Sequence, residues 1–480
     1  MSHLRASFRI SHHLNPSAGG GIIFRFGDAV KNSVSIPSAP GALPLIGHLV
    51  PLCVDPLKFM NSLPTHGDLV RIRLGSHPMV VICTPEMTRQ AIVRDKIFDK
   101  GGPIWERTRE FMGGNSILNA PHDRHRRLRH LAQPAFHPSR LPGYALNMSS
   151  CIDSIVNSWH AGQKLDVPTE MMKITATVSV TALFSDALTP PEHEQIIEDV
   201  KTFFDWVYRR TLMAAFLDPL PIPKARSWER ARSRLFQTCG QIIARRRADD
   251  ADHGDLLSAL LSTHAAAHLG QSMDASEICG TLIAFLLGGT ETTAATLAWA
   301  LHLLARHPEI EQQLHAEADT VLGGRTATHA DLPQLSLTAR IITETLRLYS
   351  PAWFLTRIVT TDTNLGGHLL PAGTTIAYSP YLIHHRPDLY TDPETFDPGR
   401  WEPQRPQPPG HALLPFSAGA RKCIGDTFGM TEAILALASI ATRWRLEHEP
   451  NQKVRAGLSA TLRPQNLRMY ATPRSRASGK

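Results

Sequence analysis

Cys423 lies in Phe416-Ser417-Ala418-Gly419-Ala420-Arg421-Lys422-Cys423-Ile424-Gly425, with a glycine four residues before it, another two residues after it and a guanidinium two residues before. A thiol in such a loop can be held against a metal. Glycines let backbone approach the ligand and its cofactor closely, and Arg421 either favours the ionised sulfur or pairs with an anionic group of the cofactor. The other five cysteines (Cys53, Cys83, Cys151, Cys239, Cys279) are far apart and form no C-x-x-C pair. Neither a disulfide framework nor a structural zinc site is suggested, and a reducing compartment fits.

Four further groupings have types and spacing that could do chemistry. Leu282 to Thr293 carries Gly288-Gly289-Thr290-Glu291-Thr292-Thr293 inside a run of helix formers. Each interior glycine costs about 1 kcal/mol relative to alanine, so the pair needs a reason. Either the glycines let another helix approach and Thr292 bonds back to the Gly288 carbonyl, or they open a groove in which Thr292 and Glu291 relay protons to a small ligand. Glu344-Thr345-Leu346-Arg347 sets an acid and a base at i and i+3 on one helical face. It is a solvated surface pair, or, given Ile341, Ile342, Leu346 and Leu348 around it, a buried pair wanting a third polar partner. Arg400, in Phe396-Asp397-Pro398-Gly399-Arg400-Trp401, is that candidate or part of an ordinary turn. His125 and Arg129 stand at i and i+4, either on a solvated basic face or as a clamp for a cofactor's carboxylates.

The elements that must position these residues are mostly helical. Apolar residues recur near a period of 3.6 over 121–136, 192–208, 225–247, 275–306, 310–321, 339–348 and 426–442. Leu69–Leu74 alternates apolar and basic residues, and Gly75-Ser76-His77-Pro78 turns the chain into Met79–Ile82, which reads as a β-hairpin. Thr375–Tyr378 reads as a further strand. With 480 residues, 42% hydrophobic and 19% charged, the composition is that of a globular protein with a large core. No stretch approaches the roughly 18 uninterrupted apolar residues of a spanning helix. The net charge of +7 is scattered, without the aromatic-interleaved basic block that nucleic acid would require, and an acidic protein partner suits it better. Residues 1–38 have no acidic residue before Asp28 and carry Arg5, Arg9 and Arg25. A disordered basic tail is the favoured reading and an organelle transit peptide the alternative. Residues 39–480 are expected to form a single catalytic domain.

Taken together, these stretches resemble the cytochrome P-450 family of haem-thiolate monooxygenases. Phe416-x-x-Gly419-x-Arg421-x-Cys423-x-Gly425 matches its cysteine-ligand loop. Gly288-Gly289-x-Glu291-Thr292-Thr293 resembles its oxygen-binding helix, Glu344-x-x-Arg347 its K-helix pair, and Phe396-x-Pro398-x-Arg400-Trp401 the arginine loop that follows. The resemblance covers roughly residues 39–470. It implies a mainly α fold with a small β subdomain, and haem b between the oxygen-binding helix and the cysteine loop. Cys423 would be the iron ligand. His125, Arg129, Arg357 and Arg421 would hold the haem propionates, with Phe416, Gly419 and Gly425 shaping the loop. Glu344, Arg347 and Arg400 would form a structural triad, and Thr292 with Glu291 would serve oxygen activation and proton delivery. Gly429 stands where the family commonly has alanine, which should slightly loosen helix packing under the haem.

By family position the substrate pocket would be lined by Ile104, Trp105, Phe204, Tyr208, Ala284, Phe285, Gly288, Ala352, Trp353, Phe354, Leu355, Ala460 and Leu462, nearly all apolar or aromatic. Such a lining implies a hydrocarbon-like substrate held by shape. Phe98-Asp99-Lys100-Gly101-Gly102-Pro103, Gln133-Pro134-Ala135-Phe136 and Tyr378-Ser379-Pro380-Tyr381 are similar to bacterial terpene-modifying members such as the pentalenene oxygenases and the albaflavenone synthase. That likeness implies hydroxylation, or multi-step oxidation, of a terpenoid such as a sesquiterpene. The resemblance also implies electrons from NAD(P)H through an external ferredoxin and ferredoxin reductase, docking on a basic face around Arg421 and Lys422. A monomer in a bacterial cytoplasm is expected, or in mitochondria if the N-terminal tail is a transit peptide. The rival readings are another hydrophobic substrate (a fatty acid, steroid or macrolide) and a haem-binding sensor without turnover. A sensor has no need of the Glu291-Thr292 pair.

Overall fold

The computed structural model describes residues 35–474, apart from 76, 113, 115, 186, 218–224, 250, 266–271 and 459–460. Most of the segment expected to be a tail therefore lies outside the described residues. From Pro37 onward the chain is tied to the first strand, since the Arg71 N–H donates to the Pro37 carbonyl at 2.7 Å.

The expected hairpin forms from β1 (Leu69–Leu74) and β2 (His77–Ile82), paired antiparallel from Leu69 opposite Ile82 to Leu74 opposite His77. The short β3 (Phe98–Asp99) follows. A helical body comes next: α1 (His122–Ala132), α2 (Leu141–Asn157), α3 (Val167–Phe184), α4 (Ala225–Ala248), α5 (Ala275–Leu304) and α6 (Ser336–Leu348). After α6 the chain adds β4 (Leu355–Val359) and β5 (Thr375–Tyr378), completing a five-stranded sheet in the order β1-β2-β5-β4-β3. The last long helix is α7 (Asp426–Ala441). One large apolar core joins the helices, and two smaller ones cover the two faces of the sheet.

Helix α5 is the axis of the helical body. Asp274 accepts from the Glu277 N–H at 2.8 Å while the Glu277 carboxylate accepts from the Asp274 N–H at 3.3 Å, a reciprocal cap that satisfies two donors at the helix start. Arg124 and Arg127 of α1 both bond the same Glu277 oxygen, fixing α1 against the start of α5. This helix is long and apolar enough to cross a membrane, but it is largely buried within the protein core. Helices α2 and α3 were not foreseen from periodicity. In α3 the β-branched run Thr175-Ala176-Thr177-Val178-Ser179-Val180-Thr181 reads like a strand, and most of its residues are buried, so no polar face marks a 3.6 period.

Candidate active site

A cavity holding about 1650 Å³ of atom-free space, including open solvent at its mouth, lies between α5 and the loop that precedes α7. Cys423 is accessible and lines it. The loop geometry explains why this segment is rich in glycine. Gly419 has φ +66°, a left-handed conformation, and a Cβ there would meet the Ile92 carbonyl oxygen at 3.1 Å. The Cys423 N–H then folds back onto the Phe416 carbonyl at 2.9 Å. Although it opens onto the cavity, the Cys423 thiol lies deep enough for desolvation to push it up from its ordinary pKa, and Asp426 adds to this, against the Gly425 N–H, Arg129 and Lys422, which favour the thiolate.

Across the cavity, the two glycines of α5 have different surroundings. A Cβ on Gly289 would lie 3.1 Å from the Ser179 hydroxyl of α3, so this glycine permits the close helix crossing. A Cβ on Gly288 would meet nothing within 4 Å and would project into open space. Both explanations of the pair are therefore realised, one at each residue. The α3 crossing is also bonded, because the Thr175 hydroxyl donates to the Thr290 carbonyl at 2.9 Å. Thr292 lines the cavity, and its hydroxyl donates to the Gly288 carbonyl at 2.6 Å. With its proton so engaged, its lone pairs remain to accept a hydrogen bond from a ligand. Glu291 is buried one residue earlier, at 3% exposure.

The rim nearest the sheet is densely basic. His125 and Arg129 from α1, Arg357 from β4, Arg421 from the cysteine loop and Lys100 just after β3 all line the cavity. Of these, Arg421 pairs with Asp99 and also donates to the Ala120 carbonyl at 3.0 Å. Arg357 lies over the Tyr378 ring at 5.7 Å and donates to its hydroxyl at 3.3 Å. Arg129 bonds the Lys422 carbonyl. Among the described residues, Lys100, Arg129 and Arg357 form no ion pair. The consequence falls on His125, whose pKa is pushed down to about 2 by burial and then by Arg421, Lys100, Arg129 and Arg357. Lys100 is likewise held well below its ordinary value by burial, Arg357 and Arg421.

The site thus has more buried cations than carboxylates, and its His125 Nδ1 and Arg421 Nε are buried without a hydrogen-bond partner. A haem answers that imbalance. Its two propionates match the uncompensated cations, its iron matches the accessible thiol, and its planar ring matches the slot between the cysteine loop and Gly288. The residues present fit the group.

Ala284, Phe285, Gly288, Ala352 and Leu355 wall the cavity, as do Phe416 and Gly425, with Gly419 shaping the loop from behind. Other residues placed by family position lie elsewhere. Trp105 packs beneath Lys100, 4.4 Å from its ring centroid, and its indole donates to the Thr356 carbonyl at 3.1 Å. Phe204 is buried edge-on against Phe203. Trp353 and Leu462 are buried in a core at the sheet, and Phe354 packs against it. The turn after Pro351 and the strand that carries Leu462 direct Trp353, Phe354 and Leu462 away from the cavity, whereas Trp105 and Phe204 sit on the helices Pro103–Met112 and Pro190–Leu217. The side chains of Ile104 and Tyr208, and Ala460 altogether, lie outside the described residues. Arg421, expected on the docking face, is instead 7% exposed and turned inward, so Lys422 alone of the two reaches the surface.

Glu344, Arg347 and Arg400 do come together. Arg347 makes two bonds to the Glu344 carboxylate, at 2.8 and 3.0 Å, and Arg400 approaches it at 3.4 Å. Two donors absent from the triad complete it: the Trp401 indole at 2.8 Å and the Asp397 N–H at 3.2 Å. Sequence reasoning also missed Lys100 as a cavity residue. It lay in a stretch singled out for other reasons, and only the pairing of β3 with β4 carries it beside Arg357. At Gly429 an added Cβ would make ordinary contact with the Thr293 hydroxyl at 3.6 Å, so alanine would fit there.

Comparison with known proteins agrees with this geometry. The cytochrome P450 family model matches residues 37–469. The chain is 41% identical to the cyclooctat-9-en-7-ol 5-monooxygenase of Streptomyces melanosporofaciens, over 86% of this chain and 90% of that one. It is 40% identical to the pentalenene oxygenase of Streptomyces avermitilis, over 91% and 97%. A crystal structure of the cytochrome P450DA heme domain superposes with a TM-score of 0.81 at 23% identity, covering 92% of this chain and 98% of that one, and shows the same fold. The family match over nearly the whole chain and the identity to named monooxygenases settle the membership: this chain belongs to the cytochrome P450 family and is one of its haem-dependent monooxygenases.

Proposed function

We propose that this monooxygenase inserts one atom of O2 into a terpenoid, most simply by hydroxylating a sesquiterpene-like hydrocarbon, with further oxidation at the same carbon where the product rebinds. The reading rests on one observation, the two-sided cavity: a thiol and surplus cations on the haem side, and Leu183, Leu256, Ala284, Phe285, Ala352 and Leu355 on the other. No charged side chain stands among those apolar residues, so shape selects the substrate. The two relatives, both named for terpene-derived compounds, support the same class.

In this proposal Cys423 is the iron ligand, and His125, Arg129, Arg357 and Arg421, joined by Lys100, hold the haem propionates by charge-assisted hydrogen bonds. When bound, the haem supplies the reductive activation of O2. The reaction consumes two electrons and two protons, so that one oxygen enters the substrate C–H bond and the other leaves as water. Thr292 Oγ accepts a hydrogen bond from the ligand side while its own proton rests on the Gly288 carbonyl. Glu291 lies on the proton route. Electrons come from NAD(P)H through a ferredoxin and its reductase in the bacterial cytoplasm, with an acidic ferredoxin meeting the basic surface that includes Lys422 and Arg126.

Spin-state titration of the purified haem protein with terpenes, steroids, fatty acids and macrolides tests the substrate class. Terpenes are expected to shift the haem spectrum at the lowest concentrations, and a shift only with the other classes would overturn the terpenoid reading. Thr292→Ala is expected to retain haem and substrate binding while diverting electrons to peroxide. Product per electron equal to wild type would remove Thr292 from the proton route.

A further inference from the structure

A second cavity lies at the far end of α5, and no residue lining it also lines the haem cavity. His302, near the end of α5, meets His448, the last residue of strand Trp444–His448, with Nδ1 of the first 3.0 Å from Nε2 of the second. The pair is held from beneath. The Trp299 ring packs edge-on against His302 with centroids 5.6 Å apart, stacks flat on Tyr349 at 3.8 Å and donates its indole N–H to the Leu462 carbonyl at 3.0 Å. Arg306, Gln452, Lys453 and Arg455 complete the wall around about 1090 Å³ of atom-free space open to solvent.

Charge in this cavity is one-sided. Arg306, Lys453 and Arg455 are exposed, and among the described residues none of them forms an ion pair. The single carboxylate in the wall, Glu449, is already engaged by Lys164 and, at 3.9 Å, by Arg468. Burial and then positive neighbours hold both imidazoles below their ordinary pKa: His448, Arg306 and His307 act on His302, which is lowered to about 3, and Arg306 on His448. Gln452 adds a donor without a partner. Its carbonyl oxygen accepts from the Arg468 N–H at 2.9 Å, which leaves Nε2 buried and unbonded at the cavity wall.

We propose that this cavity binds an oxyanion of the phosphate class. Arg306 and Arg455 offer planar guanidinium forks suited to phosphate oxygens, Gln452 Nε2 and Lys453 supply further donors, and the His302–His448 pair forms a floor able to take up a proton as negative charge arrives. The concave wall favours a small anion over a flat macromolecular surface. Free phosphate, pyrophosphate and the phosphates of a nucleotide share this chemistry.

Calorimetry and histidine ring resonances of the intact haem protein, titrated with inorganic phosphate, pyrophosphate and ADP, test the proposal. Saturable binding that moves the His302 and His448 signals is expected, weakened at least about tenfold in Arg306→Gln and in Arg455→Gln. The reduced carbon monoxide spectrum of both variants should be unchanged, showing an intact haem site. Equal affinity for pyrophosphate and ADP would assign the site to the free anion, and tighter binding of ADP to a nucleotide. Absence of saturable binding by all three probes, or unchanged affinity in both variants, overturns the proposal. So does an equal loss in Lys201→Gln, a surface lysine on the helix Pro190–Leu217 that does not line the cavity, because that would reduce the effect to general surface charge.

Discussion

Two buried charge clusters of this protein are built on opposite plans. Around Glu344 each donor is matched within the chain: Arg347 reaches the carboxylate and also the carbonyls of His384, Pro393 and Thr395, while Trp401 and Asp397 take up the remaining acceptor capacity. Around His125 five basic groups face one another with Asp99 as the carboxylate in bonding contact. The first cluster is closed and belongs to the fold. The second is open, and its excess charge is a cost of folding that a bound anionic cofactor would remove.

Cysteine removal should separate the two most sharply. Cys423→Ala is expected to abolish the thiolate-type spectrum of the reduced carbon monoxide complex while the closed cluster keeps the chain folded by circular dichroism. An unchanged spectrum would remove Cys423 as the ligand. Next in size, Glu344→Ala should cost about 3–5 kcal/mol in urea unfolding, because it strands a buried guanidinium at 0% exposure. If the haem-free protein lost less than about 1 kcal/mol, the cluster would be no more than a surface-like ion pair.

Acid provides a graded test of the closed side. His384 accepts the Leu414 N–H at 2.8 Å on Nε2 and faces the Arg347 carbonyl at 3.1 Å with Nδ1, so it is built to be neutral. Burial, then His385 and Arg347, lowers its pKa from 6.5 to about 3. Between those values the unfolded chain binds the extra proton. The stability contributed is therefore complete above pH 6.5 and is lost as pH falls toward 3. Urea midpoints measured from pH 7.5 down to 4.5 should fall, and His384→Gln should flatten the slope, leaving the parts due to the other histidines held low, His125, His193, His302, His315, His385 and His448. The smallest expected effect is on the open side, where Arg129→Gln should speed haem loss about tenfold yet leave the haem-free protein as stable as wild type or more so. A destabilised haem-free protein would mean that Arg129 serves the fold instead.

The chemical residues were legible because their spacing is local. The cysteine loop and the Glu291-Thr292 pair are each set within a dozen positions, and the hairpin Leu69–Leu74/His77–Ile82 declares itself by alternation. Partners set by long-range pairing were not legible. Trp401 joins Glu344 across 57 positions, and Lys100 reaches the cavity rim only because β3 pairs with β4. The pocket lining divides for the same reason. The positions assigned by family likeness on α5 do line the cavity, as do Ala352 and Leu355, whereas Trp353 and Leu462 depended on how the chain turns after Pro351, where the Leu462 N–H bonds the Pro351 carbonyl at 3.0 Å.

By itself, then, the sequence determined the thiol, the acid–alcohol pair, the ion-pair helix and the mostly helical class, since each follows from residue types at short separation. Tertiary structure alone decided which interior glycine packs and which opens the cavity, and that Arg421 turns inward. It also decided that the cations of one rim lack anions while those around Glu344 do not. Burial and charge balance are properties of segments brought together from distant parts of the chain, and no local pattern records them.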